Sequence, residues 1–161
     1  MKNKEINIAI VGFGNIGSYF YKNLITNKKQ ITTKTGREPV VKYISAKTFK
    51  KKRRINIPKS KWIKNFNDIT SKKDIHVIVE LIGGSEGPAK KLVFSALKNK
   101  KHVITANKAL ISKHGDALAK IAEDNNVNLE YSQSLNCISV NSQTLNEIQI
   151  RDNRLTERLK Q

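Results

Sequence analysis

The sequence predicts a doubly wound α/β fold, a parallel sheet with helices on both faces, and three observations carry that prediction. Residues 6–11 form an almost uniformly apolar run rich in β-branched side chains, as expected of a strand buried on both faces. Gly12, Gly14 and Gly17 follow it at once. Strand-like and helix-like segments then alternate five times, an order that implies right-handed crossovers within one parallel sheet.

The elements follow in turn. Residues 18–26 read as a helix, and residues 27–39, with Gly36 and Pro39, as a polar connection. Residues 40–45 form the second strand. The basic stretch 47–64 is read as loop interrupted by Pro58, and residues 67–73 as a short helix. Residues 75–81 give the third strand, ended by Gly83-Gly84. Ser85 is the expected cap of a helix running through Leu97, with Pro88 in its first turn. Residues 102–105 form the fourth strand. Residues 112–125 form a helix with Leu118, Ile121 and Ala122 on one face, and residues 127–131 the fifth strand.

At 161 residues the chain has the length of one domain. Its single cysteine, Cys137, excludes an internal disulfide and a four-cysteine zinc site. His76, His102 and His114 have no spacing that suggests a metal centre, so no metal is expected. No stretch approaches the ~18 uncharged apolar residues of a membrane span, and the N-terminal run is too short for a signal peptide. A cytoplasmic location is the expectation. The 31 basic against 13 acidic residues give a net charge of +18. Residues 28–64 hold 14 Lys or Arg and one acid. A nucleic-acid partner would call for aromatics interleaved to stack bases, and Tyr43, Phe49 and Trp62 have no regular spacing. Solvated lysine surface with one embedded anion site is the simpler reading.

Gly12-Phe13-Gly14-Asn15-Ile16-Gly17 matches the G-x-G-x-x-G fingerprint, and its place between a buried strand and a helix gives it weight. Gly12 permits the tight turn, Gly14 lets the backbone approach a pyrophosphate, and Gly17 lets the helix pack closely. The helix N-terminus adds N–H groups and positive dipole. A Rossmann-type dinucleotide-binding domain follows. No acid stands between Pro39 and Phe66, and the second strand ends in Ser45-Ala46-Lys47. Sites that hold an unphosphorylated ribose place Asp or Glu there. A lysine suits a 2′-phosphate instead, so NADP(H) is expected over NAD(H), with Lys47 and either Arg53 or Arg54 as contacts.

Two further segments are more specific. Val79-Glu80-Leu81-Ile82-Gly83-Gly84-Ser85 and Lys101-His102-Val103-Ile104-Thr105-Ala106-Asn107-Lys108-Ala109-Leu110 closely resemble the corresponding motifs of homoserine dehydrogenase, and the likeness runs from about residue 6 to 131. The resemblance implies NAD(P)-dependent interconversion of L-homoserine and L-aspartate 4-semialdehyde, on the route to threonine and methionine. It places Gly84 and Ser85 at the nicotinamide end of the cofactor. It also makes Lys108 a catalytic residue beside nicotinamide and substrate. A cation there can orient a carboxylate or stabilise charge developing on a carbonyl oxygen.

After Tyr131 the likeness stops, and the family's small-residue segment and substrate domain have no counterpart in the polar run beginning Ser132-Gln133-Ser134. The expected organisation is a dinucleotide-binding domain over residues 1–132 and a divergent, poorly ordered polar tail over 133–161. Hydride transfer needs the aldehyde held roughly 3–3.5 Å from the nicotinamide. This chain alone is therefore expected to bind cofactor without meaningful turnover. Apolar surface left uncovered favours self-association. The alternative reading is a non-catalytic dinucleotide-binding or redox-sensing module, separated from the first by whether aspartate semialdehyde drives NADPH consumption.

Overall fold

Five parallel strands in the order β2-β1-β3-β4-β5 form the sheet of this computed structural model, which describes residues 4–48 and 55–131. Arg53, Arg54 and the expected tail over 133–161 lie outside the described residues. Along the chain run β1 (Lys4–Val11), α1 (Asn15–Thr26), α2 (Lys28–Thr35), β2 (Arg37–Ser45), α3 (Asn67–Thr70) and β3 (Val77–Glu80). Then follow α4 (Pro88–Lys98), β4 (His102–Thr105), α5 (Lys108–Asp124) and β5 (Leu129–Tyr131). The order reverses between β1 and β3, and such a reversal opens a crevice at the carboxyl ends of those strands.

Alternation along β1 divides the core. Ile6, Ile8 and Ile10 pack with Phe20 and Leu24 of α1 and Ile31 of α2, whereas Ala9 and Val11 face Leu92 and Val93 of α4 and Leu118 of α5. The period of 2 in the strand and the i, i+4 spacing of Phe20 and Leu24 therefore meet in one layer. Each of these Ile, Leu, Val and Phe side chains, when fully buried, stabilises the fold by about 1.5–3 kcal/mol. No helix among the described residues is long and apolar enough to cross a membrane.

The register of β2 contains a bulge. Ile8 pairs with Val41 and Ala9 with Tyr43, so Lys42 is the extra residue. The bulge resets the alternation, so that Val41 and Ile44 both face the α1 layer while Tyr43 packs against the other. The outer edge of β2 is partly covered. Trp62 forms an isolated parallel bridge with Ile44, and Ile63 N–H donates to the Ile44 carbonyl at 2.9 Å. Lys61 Nζ donates to the Val41 carbonyl at 2.5 Å. A lysine here satisfies an edge carbonyl and discourages pairing with another chain. Burial first, then Lys42 and Lys28 nearby, holds the Lys61 ammonium below the ordinary lysine value.

At the opposite, amino-terminal edge, two histidines act as backbone acceptors. His76 Nδ1 accepts from Asn7 N–H at 2.9 Å and His102 Nδ1 from Asn128 N–H at 3.0 Å. They stitch neighbouring strand starts together, which gives these residues a structural part and leaves them far from the glycine loop in the strand register.

Several element boundaries correct the sequence reading. Residues 27–39 are not a simple connection: α2 occupies Lys28–Thr35 and β2 already begins at Arg37. Ile31 and Thr35, four apart, supply the helix's buried face, and Gly36 ends it with φ 67°. Pro39 lies inside β2, tolerated because the strand's outer side needs no N–H at that point. Ser85 does not cap α4. That place is taken by Gly87 (φ 72°, ψ −130°), and Pro88 pre-sets the first helical turn. Helix α1 begins at Asn15 rather than 18, and α5 at Lys108 rather than 112. Strands β3 and β5 are shorter than expected, ending or starting within two residues of the predicted limits.

Candidate dinucleotide site

The glycine loop lies at the switch point, between the end of β2 and the exit of β3. Gly12 N–H donates to the Ser45 carbonyl at 2.9 Å. A Cβ on Gly12 would stand 2.4 Å from both the carbonyl carbon and oxygen of Leu81, and Gly12 has φ +99°. Only glycine fits such a turn without strain. Gly17 is equally constrained, because its Cβ would meet the Gly12 carbonyl oxygen at 2.3 Å. The first turn of α1 thus folds directly onto the turn that precedes it. Gly14 differs, since a Cβ there meets nothing within 4 Å. It opens outward where its neighbours are closed, the shape required for a bulky anion to approach the backbone.

Asn15, Ile16 and Gly17 form the first turn of α1, and Ser18 N–H makes the first helical bond, to the Gly14 carbonyl at 3.0 Å. Helix geometry leaves the preceding N–H groups without intrahelical partners, beside the positive end of the dipole. Phe13 is buried beneath the loop. Its ring meets Tyr21 and Trp62 edge-on, with centroids 5.8 and 5.6 Å away. The aromatic trio fixes the loop to the segment beside β2. Ser45 is buried at the end of β2, and Lys47 stands exposed two residues beyond. The sequence-predicted residues 12–17 and 47 are thus gathered at one sheet edge, while Arg53 falls outside the described residues.

The same edge holds the exits of β3 and β4. Gly83 and Gly84 follow β3 with φ of 83° and 85°, and Ser85 is half-buried. Lys108 is exposed at the first position of α5. A cation there faces the positive end of the helix dipole, an arrangement stability does not favour. Sequence reasoning missed the residues that hold these loops. Glu80, fully buried, accepts from Ile82 N–H at 2.7 Å and Gly83 N–H at 3.1 Å, and its other oxygen accepts from the Thr105 hydroxyl. Asn107 caps α5 by accepting from Leu110 N–H at 3.1 Å and donates to the Gly84 carbonyl at 2.6 Å. A lone acid closing an apolar strand was the available signal, because a buried carboxylate demands hydrogen-bond partners.

The far end of the β3–α4 loop is anchored separately. Glu86 lies 2.9 Å from Lys113 Nζ, Lys90 Nζ and His114 Nε2. Lys113, then Lys90 and His114, lower the Glu86 carboxyl from 4.5 to about 2. A depressed folded-state value contributes stability above the unfolded value, lost as pH falls through the folded one. The melting-temperature gap between wild type and Glu86→Gln is therefore expected to be present at pH 4.5 and to close toward pH 2. High salt should narrow it at every pH, since the cluster is exposed. A gap indifferent to both pH and salt would contradict the assignment.

A family model described as the NAD-binding domain of homoserine dehydrogenase matches residues 12–132. The homoserine dehydrogenase of Neisseria gonorrhoeae is 33% identical over 132 residues, covering 82% of this chain and 30% of that protein. That of Bacillus subtilis is 30% identical over 132 residues, with 82% and 30% covered. Among solved structures, Staphylococcus aureus homoserine dehydrogenase superposes with a TM-score of 0.74 at 39% identity, covering 80% of this chain and 32% of that one. The chain spans about 30% of the length of the curated relatives it matches.

Proposed function

This chain belongs to the homoserine dehydrogenase family, matched through its NAD-binding domain, and we propose that it binds NADP(H) and supplies the dinucleotide side of the interconversion of L-homoserine and L-aspartate 4-semialdehyde. The observation that carries the reading is the contrast within the glycine loop. Gly12 and Gly17 are closed by backbone atoms at 2.4 and 2.3 Å, while Gly14 opens onto free space. That cradle suits a pyrophosphate, whose oxygens would accept from the first-turn N–H groups of α1.

Each residue then has a part. Gly12, Phe13, Gly14, Asn15, Ile16 and Gly17 hold the pyrophosphate. Lys47 takes the 2′-phosphate of the adenosine ribose, and the second contact expected from the sequence, Arg53 or Arg54, lies outside the described residues. Gly84 and Ser85 flank the nicotinamide end. When bound, the nicotinamide supplies or accepts the hydride. Lys108 orients the substrate carboxylate or stabilises negative charge on the carbonyl oxygen, a role consistent with a cation retained against the helix dipole. By this reading the chain works in the cytoplasm, in threonine and methionine synthesis.

Selectivity tests the NADP(H) assignment. Lys47→Glu is expected to weaken NADPH binding about tenfold or more, the loss of one charge-assisted hydrogen bond plus repulsion. NADH binding should change less than about twofold, as measured by calorimetric titration. Equal effects on both cofactors would refute the 2′-phosphate contact.

A further inference from the structure

We propose that Glu80 is a positioning residue: its buried carboxylate ties the β3 and β4 exits into one rigid wall for the nicotinamide half of the cofactor, while the adenosine half is held without it. This rests on the dinucleotide reading above.

The geometry is a closed ring of polar contacts. One Glu80 oxygen gathers the N–H groups of Ile82 and Gly83, at 2.7 and 3.1 Å, and so fixes the loop that leads to Gly84 and Ser85. The other accepts from the Thr105 hydroxyl, which in turn accepts from Asn107 N–H at 3.0 Å. Asn107 closes the ring by donating to the Gly84 carbonyl at 2.6 Å, and its other side-chain atom starts α5 at Lys108. The β3 and β4 backbones add Ala106 N–H to the Glu80 carbonyl at 3.3 Å. Gly83 and Gly84 both have positive φ. Glycine at such positions leaves a loop free to vary unless contacts select one shape. The carboxylate selects it. Lys108, Gly84 and Ser85, drawn from segments about twenty residues apart in sequence, keep a fixed separation because one buried acid holds both strands' exits.

None of these bonds reaches the 12–17 loop or the end of β2. Removing the ring should therefore damage one half of the site selectively. The experiment uses the full chain and two probes, NADPH and 2′,5′-ADP, the latter carrying only the adenosine half. Thr105→Val keeps the shape of the β4 side chain and removes the hydroxyl that links Glu80 to Asn107. It is expected to weaken NADPH about tenfold and 2′,5′-ADP less than twofold, with Thr105→Ser restoring NADPH affinity to within about threefold of wild type. Glu80→Gln, which retains an acceptor for Ile82 and Gly83, should fall between wild type and Thr105→Val. Equal losses for both probes, or no loss in either, would overturn the proposal. A wild-type chain that binds neither probe would instead overturn the dinucleotide reading itself, and this proposal with it.

Discussion

Replacing Gly14 with alanine is expected to weaken dinucleotide binding by roughly ten- to a hundredfold while shifting the melting temperature by no more than about two degrees. The two halves of that expectation have separate causes. A Cβ at Gly14 meets nothing within 4 Å, and the residue's φ of −85° is open to any amino acid. The fold therefore has no reason to object. The methyl group does project into the opening before α1, where a pyrophosphate must approach closely enough to take N–H groups of the first turn. Each such bond to a charged acceptor contributes about 1.5–3 kcal/mol, and displacing the phosphate by even one methyl radius weakens more than one of them. Titration with NADPH, paired with thermal melts, reads both quantities on one variant. A variant that binds as tightly as wild type would remove the pyrophosphate from this loop.

Gly12→Ala is expected to do the reverse, with its main effect on the fold. The backbone there has φ +99°, and the new Cβ would lie 2.4 Å from the Leu81 carbonyl. Strained positive φ in a non-glycine residue costs of order 1–3 kcal/mol. Overpacking against backbone, which cannot rotate away, costs a further 1–3 kcal/mol. Native domains hold only about 5–15 kcal/mol in all, so the variant should melt on the order of 10 °C lower or fail to accumulate as folded protein. Urea denaturation measures the loss directly. A variant within about a degree of wild type would mean that the loop relaxes away from β3, and that the packed turn at the switch point is less rigid than its geometry indicates.

What could be read from the sequence was local chemistry. The glycine fingerprint, the buried first strand and the missing acid at the end of β2 each involve neighbours in the chain. The parallel α/β layout followed from alternation alone. The failures involve partners far apart. Helix α2 has one apolar anchor, Ile31, too few for a periodic signal, and it forms because the sheet face beside it buries that side chain. Trp62 sits against Phe13 across 49 residues of sequence, so its place beneath the loop could not be found from spacing. The Glu80–Thr105 bond spans 25 residues. By contrast the start of α5 has a local signal, since Asn107 is a good capping residue with the helix directly behind it. The Ser85 expectation failed for the opposite reason. A capping-type residue was present, but the backbone at Gly87 and the ring of Pro88 decided where the helix begins.

The most direct measurement is a fluorescence titration of the 161-residue chain with NADPH and, in parallel, with NADH. Trp62 is the chain's only tryptophan and lies 5.6 Å from the ring of Phe13 in the glycine loop, so reduced nicotinamide bound at this edge should quench its emission by energy transfer. The expected result is saturable quenching by both, with NADPH binding the tighter. Failure of either cofactor to saturate a chain that still unfolds cooperatively would contradict the assignment of this sheet edge as a dinucleotide site.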